Sequence, residues 1–199
     1  MPESLRHLDS DDREREEREW LDRMRAGDER GFELMFRMYV GRLCEFADSY
    51  VASSEEAEEI VQGLFQWIWE QRESVEMPRG MRAYLYAAVR NRALNVLRSR
   101  RMEHALHERL GRDIASRNEM EIPLAAESLI DARDLNEALD RAVREMPPRC
   151  REVFTLLRHQ YLTYAEAAEV LAISPKTVEI HMARALAILR TRLAAWLEV

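Results

Sequence analysis

The feature that most constrains the fold is a pair of helix-start signals on either side of a short turn, within LTYAEAAEVLAISPKTVEIHMARAL at Leu162–Leu186. Thr163 and Glu166 have the spacing of a capping box, which starts a helix by satisfying free backbone N–H groups. Ser174 is a favoured N-cap residue, and Pro175 follows it at the first helical position, where proline is tolerated. The pattern predicts two short helices joined by a tight turn, which is a helix-turn-helix.

The second helix of this motif is predicted to have one buried face and one exposed face. Apolar residues recur at helical spacing at Val178, Met182, Ala185, Leu186 and Leu189. The opposite face carries Lys176, Thr177, Glu179, Ile180, His181 and Arg184. A polar helix face of this kind fits the major groove of duplex DNA. An ordinary helical hairpin in an all-helical protein is the alternative interpretation.

The rest of the chain also favours helices, because it has only six Gly and six Pro and almost no β-branched runs. The longest uninterrupted apolar segment, residues 83–89, is far shorter than the ~20 residues that a membrane span needs. We therefore expect an all-α protein of two small helical domains joined by a flexible linker. The predicted boundaries are a charged tail at 1–18, a first domain at 19–101, the linker at 102–134, and a second domain with the helix-turn-helix at 135–199.

The sequence also indicates the compartment and argues against catalysis. Residues 1–18 lack the apolar core of a signal peptide, and the two cysteines, Cys44 and Cys150, have no metal-ligand spacing. No Gly-rich phosphate loop or nucleophile motif is present. His104 and His107 share one helix face, but their spacing matches no strong metal signature, so solvated histidines are favoured. We expect a cytoplasmic protein that is not an enzyme and needs no metal or cofactor.

The charges are divided between two adjacent segments. Between residues 45 and 76 nine acidic residues face a single Arg, whereas between 79 and 101 there are seven Arg and no acidic residue. An acidic segment followed directly by a basic one predicts two different partners.

Each segment has a candidate binding face. In the acidic helix the residues outside the apolar stripe are Glu58, Glu59, Gln62 and Gln66, with Trp67 beside them. An exposed tryptophan next to a charged face favours a protein-binding surface over simple solvation. The basic helix interleaves arginines with Tyr84 and Tyr86, as single-stranded DNA binding requires. A solvated basic face with core tyrosines is an equally good interpretation.

Three segments in order make the chain resemble a bacterial RNA polymerase sigma factor of the extracytoplasmic-function (ECF) type. AGDERGFELMFRMY at Ala26–Tyr39 resembles the opening helices of the family's second region. AEEIVQGLFQWIWE at Ala57–Glu70, followed by MRAYLYAAVRNRALNVLRSRR at Met81–Arg101, resembles its core-binding and minus-ten segments. The stretch from Met146 to Arg190, which contains the helix-turn-helix, resembles its fourth region.

The resemblance implies a role for each candidate face. The partners would be core RNA polymerase, through its clamp coiled coil and flap, promoter DNA in double- and single-stranded form, and an anti-sigma factor, without membrane insertion. The polymerase-binding residues would be Glu58, Glu59, Gln62 and Gln66. The minus-ten strand would be contacted by Arg79, Arg82, Tyr84, Arg90, Asn91, Asn95 and Arg98. The minus-thirty-five element would be read by Lys176, Thr177, Glu179, Ile180, His181 and Arg184.

The chain departs from the family pattern at three positions. Gly63 replaces a common acidic residue, Trp67 stands where a charged residue is usual, and Ala172 stands where the turn often has glycine. Two other functions stay open at this point. A standalone transcription regulator of the LuxR type explains only the C-terminal third, and a helical interaction module or anti-sigma decoy would bind polymerase without initiating transcription.

Overall fold

The structure is a computed structural model that describes residues 10–109 and 130–197, and every regular element in these ranges is a helix. The rest of the predicted tail and most of the predicted linker lie outside the described residues. The helices are α1 (Ser10–Arg25), α2 (Glu29–Val51), α3 (Ser54–Glu70), α4 (Met81–Arg109), α5 (Ile130–Arg144), α6 (Pro148–Phe154), α7 (Tyr164–Leu171), α8 (Pro175–Arg192) and α9 (Ala194–Leu197), with a π-helical turn at Thr155–His159 after α6. The predicted all-α fold is confirmed.

The capping residues predicted from the sequence start the helices in the structure. Ser174 Oγ accepts the N–H of Thr177 at 3.1 Å, and the capping box that opens α7 is complete in both directions. At the start of α3, Ser53 and Glu56 have the spacing of a capping box, but the box is only half formed. Ser53 Oγ accepts the N–H of Glu56 at 3.4 Å, but the carboxylate of Glu56 pairs with the Arg100 guanidinium instead of returning to the cap. A long-range ion pair to α4 therefore replaces the second half of the motif.

Helices α1–α4 form the N-terminal domain. α2 lies between α1, α3 and α4, and its buried residues pack against the apolar stripes of the other three. Helix α1 begins at Ser10, earlier than the predicted domain start, and is part of this domain rather than a tail. Its Glu17 is buried and accepts a hydrogen bond from the hydroxyl of Tyr39 on α2. The α1–α2 turn is closed by Gly27, whose φ of +84° favours glycine.

Helices α5–α9 form the C-terminal domain. α7 and α8 meet at the predicted tight turn, where Ala172 adopts the left-handed conformation with φ of 53°. One face of α8 is buried through Val178, Met182, Ala185 and Leu189, as the periodicity predicts. The opposite face points away from the core, and this arrangement is the helix-turn-helix that the sequence motif predicts.

The two domains touch, which the sequence did not predict. Helix α4, which runs eight residues past the predicted end at Arg101, packs against α7 and the segment before it. The polar residues that meet here are Tyr50, Arg82, Tyr86 and Arg90 of the N-terminal domain, with Glu152, Gln160 and Glu166 of the C-terminal domain. We refer to this set as the interdomain contact.

Candidate protein and nucleic-acid interfaces

The acidic face of α3 is accessible along its length. Glu58, Glu59, Gln62 and Gln66 are all exposed, while the other side of the helix is buried against α2 and α4. Side chains three and four residues apart share one helix face, so these four residues form a single surface. They face outward as a protein-docking surface requires.

Trp67 and Gly63 give this surface its shape. Trp67 is 40% exposed, and a tryptophan left in solvent beside polar residues is characteristic of interface anchors. Gly63 lies one turn before it, and a Cβ added there would come no closer than 3.8 Å to its nearest neighbour, the Nη1 atom of Arg92. Packing against the rest of the described chain therefore does not require glycine at position 63.

An aromatic groove lies beside the acidic face. A cavity of about 490 Å³ is lined by Glu29, Phe32, Glu33, Phe36, Gln66 and Trp69. The ring centroids of Phe32 and Trp69 are 5.2 Å apart. The rings of Phe32, Phe36 and Trp69 are only half-buried. Helical periodicity in the sequence cannot separate half-buried residues from fully buried ones, because Phe32 and Phe36 follow the same helical spacing as the buried Met35 and Tyr39.

The minus-ten candidates divide between two sides of α4. Tyr84, Asn91, Asn95 and Arg98 follow one another at helical spacing, and the last three are exposed. Because a helix repeats every 3.6 residues, Arg82 and Arg90 lie on a different side. Arg98 donates a 2.9 Å hydrogen bond to the amide oxygen of Asn95. The exposed row presents amide and guanidinium groups in line, which suits contacts to a nucleic-acid strand.

A cleft of about 310 Å³ opens at the start of α4. It is lined by Glu76, Pro78, Arg79, Ala83, Tyr84, Ala87 and Glu169. Burial raises the pKa of the half-buried Tyr84, and nearby Arg92 partly offsets this shift. A neutral phenol ring beside the exposed Arg79 provides a stacking surface next to a positive charge. Chemically, the cleft suits an unpaired base with its phosphate.

The remaining two minus-ten candidates face the C-terminal domain. Arg82 is buried, and its Nη2 donates to the backbone oxygen of Gln160 at 2.7 Å. Arg90 donates through Nε to Glu152 Oε1 at 3.1 Å, with 12% of its side chain exposed. In this arrangement both guanidinium groups are occupied by protein acceptors and have little access to solvent.

The six minus-thirty-five candidates lie on the first half of α8. Lys176, Glu179, Ile180 and Arg184 are exposed, and Thr177 and His181 are half-buried. Lys176 Nζ forms a 2.7 Å ion pair with Glu179 Oε2, and this partner raises the pKa of the ammonium group. The helix therefore presents a mixed polar face next to the turn, in the position from which recognition helices contact bases.

The imidazole of His181 contacts a buried thiol on α6, and nothing in the sequence indicates this contact. Its Nδ1 lies 3.8 Å from Sγ of Cys150 on α6, and burial raises the pKa of that thiol. Cys150 is therefore held as a neutral thiol that packs against the ring. The two residues are far apart in sequence, so only the fold brings them together.

Neither a metal cluster nor a membrane-spanning helix occurs in the described part of the chain. Among the described residues no group of three or more His, Cys, Asp or Glu side chains could hold a metal ion. No helix within residues 10–109 and 130–197 is long and apolar enough to cross a membrane. The side chain of His107 lies outside the described residues.

Two family models match the chain. Sigma-70 region 2 matches residues 35–103, and sigma-70 region 4 matches residues 136–189. Together they cover more than half of the sequence, and each falls on one of the two helical domains. No curated protein sequence matches the chain significantly.

The fold is similar to solved structures over most of its length. One is a structure of CnrH in complex with the cytosolic domain of CnrY, with a TM-score of 0.63 and 22% identity, covering 90% of this chain and 98% of that one. Another is the sigma factor RpoE in complex with the anti-sigma factor NepR from Bartonella quintana. There the TM-score is 0.59 and the identity 23%, covering 82% of this chain and 96% of that one.

Proposed function

This chain belongs to the sigma-70 family of RNA polymerase sigma factors, and we propose that it acts as a factor of the ECF type. It binds core RNA polymerase in the cytoplasm and directs promoter-specific initiation. Region 2, the N-terminal domain, binds the polymerase clamp through the acidic face of α3 and contacts the minus-ten strand through α4. Region 4, the C-terminal domain, approaches the polymerase flap and reads the minus-thirty-five element with α8.

The number and order of the accessible surfaces support this function. Three accessible surfaces of different chemistry occur on one chain: the acidic α3 face, the amide and arginine row of α4, and the polar face of α8. A standalone regulator needs only the last of these. A subunit that bridges polymerase and DNA needs all three, and they follow one another in the order of the family.

The charge distribution suits a factor that binds promoters only with its polymerase. The net charge of −7 weakens attraction to free DNA, because binding to phosphates depends on positive charge. Docking on polymerase would hold both DNA-binding surfaces at a fixed separation, and each then acts at a high effective concentration. Weak individual contacts become specific only in the assembled holoenzyme.

We also propose that this chain binds an anti-sigma factor. Support comes from the two solved structures of similar fold, since one is a complex with the anti-sigma factor NepR and the other a complex with the cytosolic domain of CnrY. A protein inhibitor that covers the acidic α3 face would compete directly with polymerase.

The docking surface is tested by reversing one charge. Glu59→Arg should weaken binding to purified core polymerase at least tenfold in a fluorescence titration, because a central carboxylate of the docking face becomes a positive charge. Glu103→Arg makes the same charge change at an exposed position near the end of α4 and should bind like the parent. Equal affinity of the Glu59→Arg variant and the parent would count against docking through α3.

The duplex-reading surface is tested on α8. Lys176→Ala and Arg184→Ala should each reduce transcription from a duplex promoter more than they reduce polymerase binding, because their groups would contact DNA. Arg192→Ala, at the far end of the same helix, should leave transcription unchanged. If Lys176→Ala and Arg184→Ala retain the parent's transcription, α8 does not read the promoter.

A further inference from the structure

The interdomain contact occupies two arginines that the proposed function assigns to promoter DNA. Glu152 on α6 is its first element. Its Oε1 accepts from Arg90 Nε at 3.1 Å and from the hydroxyl of Tyr50 at 2.8 Å. Arg149 donates to the other oxygen at 3.0 Å. The side chain of Glu152 is only 14% exposed, so this carboxylate is a partly buried anion with both oxygens paired, and it contacts an arginine of α4.

Gln160 is the second element of the contact. Its side chain is 2% exposed, and its Oε1 accepts the hydroxyl of Tyr86 at 2.7 Å. Its backbone oxygen accepts from Arg82, which also lies 3.8 Å from the carboxylate of Glu166. An amide from the C-terminal domain thus rests on a tyrosine of α4, and a carboxylate lies near the adjacent arginine.

The backbone departs from regular α-helix on both sides of Gln160. The five residues Thr155–His159 form a π-helical turn, a rare feature that is frequent at functional sites. Tyr161, directly after Gln160, has φ of 55°, a conformation that is unfavourable for a bulky side chain. Its ring faces the guanidinium of Arg42 on α2, with Cζ 5.9 Å from the ring centroid. Local strain is therefore retained where the two domains meet.

Glu152 and Gln160 offer α4 an anion and a planar polar group, the two kinds of group that a single DNA strand offers. A carboxylate on Arg90 stands where a phosphate would bind, and an amide on Tyr86 offers the kind of edge and plane that a base offers. We infer that Glu152 and Gln160 hold region 4 against region 2 in the free chain and so keep Arg82 and Arg90 from single-stranded DNA until the domains separate. This inference rests on the proposed function, since it assumes that these arginines belong to the strand-binding surface.

The first test measures domain separation without DNA. Glu152→Arg places two arginines against each other and should increase the radius of gyration of the full chain in small-angle X-ray scattering. Combining it with Arg90→Glu restores an opposite-charge pair and should return the radius to the parent's value. An unchanged radius in the Glu152→Arg chain would overturn the inference, because the contact would not be what holds the domains together.

The second test measures binding of a short, fluorescently labelled single-stranded oligodeoxynucleotide of mixed sequence. Glu152→Ala should bind it more tightly than Glu145→Ala, which removes the same charge from an exposed ion pair with Arg192 inside the C-terminal domain. Releasing two arginines to phosphates should steepen the dependence of log K on log salt by about 1.4, at roughly 0.7 per contact. Circular dichroism checks that both variants are folded.

Failure of the interdomain inference and failure of the proposed sigma-factor function give different experimental results. If Glu152→Ala and Glu145→Ala bind the strand with equal affinity and equal salt dependence, the inference is overturned, while promoter-dependent transcription by the parent stays as it was. Loss of the proposed function would instead appear as a parent chain that supports no transcription with core polymerase, whatever the state of the interdomain contact.

Discussion

Gly31→Ala should weaken the packing of α1 on the N-terminal domain, because α1 and α2 cross at Gly31 with no room for a methyl group. A Cβ at this position would lie 2.4 Å from the backbone oxygen of Trp20 and 2.9 Å from the backbone nitrogen of Met24. Both contacts are backbone atoms of α1, so no side chain can rotate away. The short turn closed by Gly27 leaves α1 little freedom to move off.

The magnitude follows from the overlap. An ordinary contact begins near 3.4 Å, so α1 must shift by roughly 1 Å to admit the methyl group. Overpacking of this kind costs about 1–3 kcal/mol in a well-packed interior. Since alanine is favoured over glycine in a helix by about 1 kcal/mol, the net loss should be about 0–2 kcal/mol, and Gly31→Ala should be about 1–3 kcal/mol less stable than a Gly→Ala change at a position with room for the methyl group. A chain of this size then loses about 2–4 °C of Tm per kcal/mol.

Thermal denaturation followed by circular dichroism measures the effect, with Gly41→Ala as the matched control. Gly41 lies on the same helix, and a Cβ added there would meet nothing within 4 Å, so its substitution should raise Tm. Hydrogen exchange should locate the damage of Gly31→Ala in α1 and the start of α2. A Gly31→Ala chain as stable as the Gly41→Ala chain would refute the close-packing argument.

Three further substitutions test other parts of the fold. Ala172→Gly should raise stability by about 0.5–1 kcal/mol in thermal denaturation, because φ of 53° strains alanine and not glycine. Thr163→Ala removes the α7 cap and should cost about 1 kcal/mol by the same measurement. Burial raises the pKa of Glu17 above its usual 4.5, so its charged form opposes folding, and stability should fall as pH rises above that value and then level off. Glu17→Gln should flatten this fall in a series of urea titrations, and an unchanged pH profile would exclude Glu17 as its source.

Much of the fold was predictable because its signals are local. The capping residues Thr163 and Ser174 act within one helical turn, and apolar residues at helical spacing predicted the buried face of α8. The exposed positions on α3 and α8 followed from the same periodicity. The polymerase-binding and DNA-binding roles of these faces stay predictions, since they rest on the family resemblance and on chemistry.

What could not be predicted depends on contacts between residues distant in sequence. Nothing near Arg82 or Arg90 indicates that Gln160 and Glu152 will meet them. The pairing of Glu56 with Arg100, which replaces half of a capping box, is a choice between two partners that only the packing of α3 on α4 decides. Periodicity likewise gave no sign that Gly31 is required by a helix crossing.

Run-off transcription with purified core polymerase is the most direct test of promoter-specific initiation by this chain. The template is genomic DNA from the organism that encodes the chain, and the 5′ ends of the products are mapped. We expect discrete start sites that require both the chain and the core enzyme, and that weaken when Lys176→Ala replaces the parent. If the chain binds core polymerase yet yields no discrete start sites, or binds specific duplex DNA tightly without polymerase, the claim that it is an initiating sigma factor is contradicted.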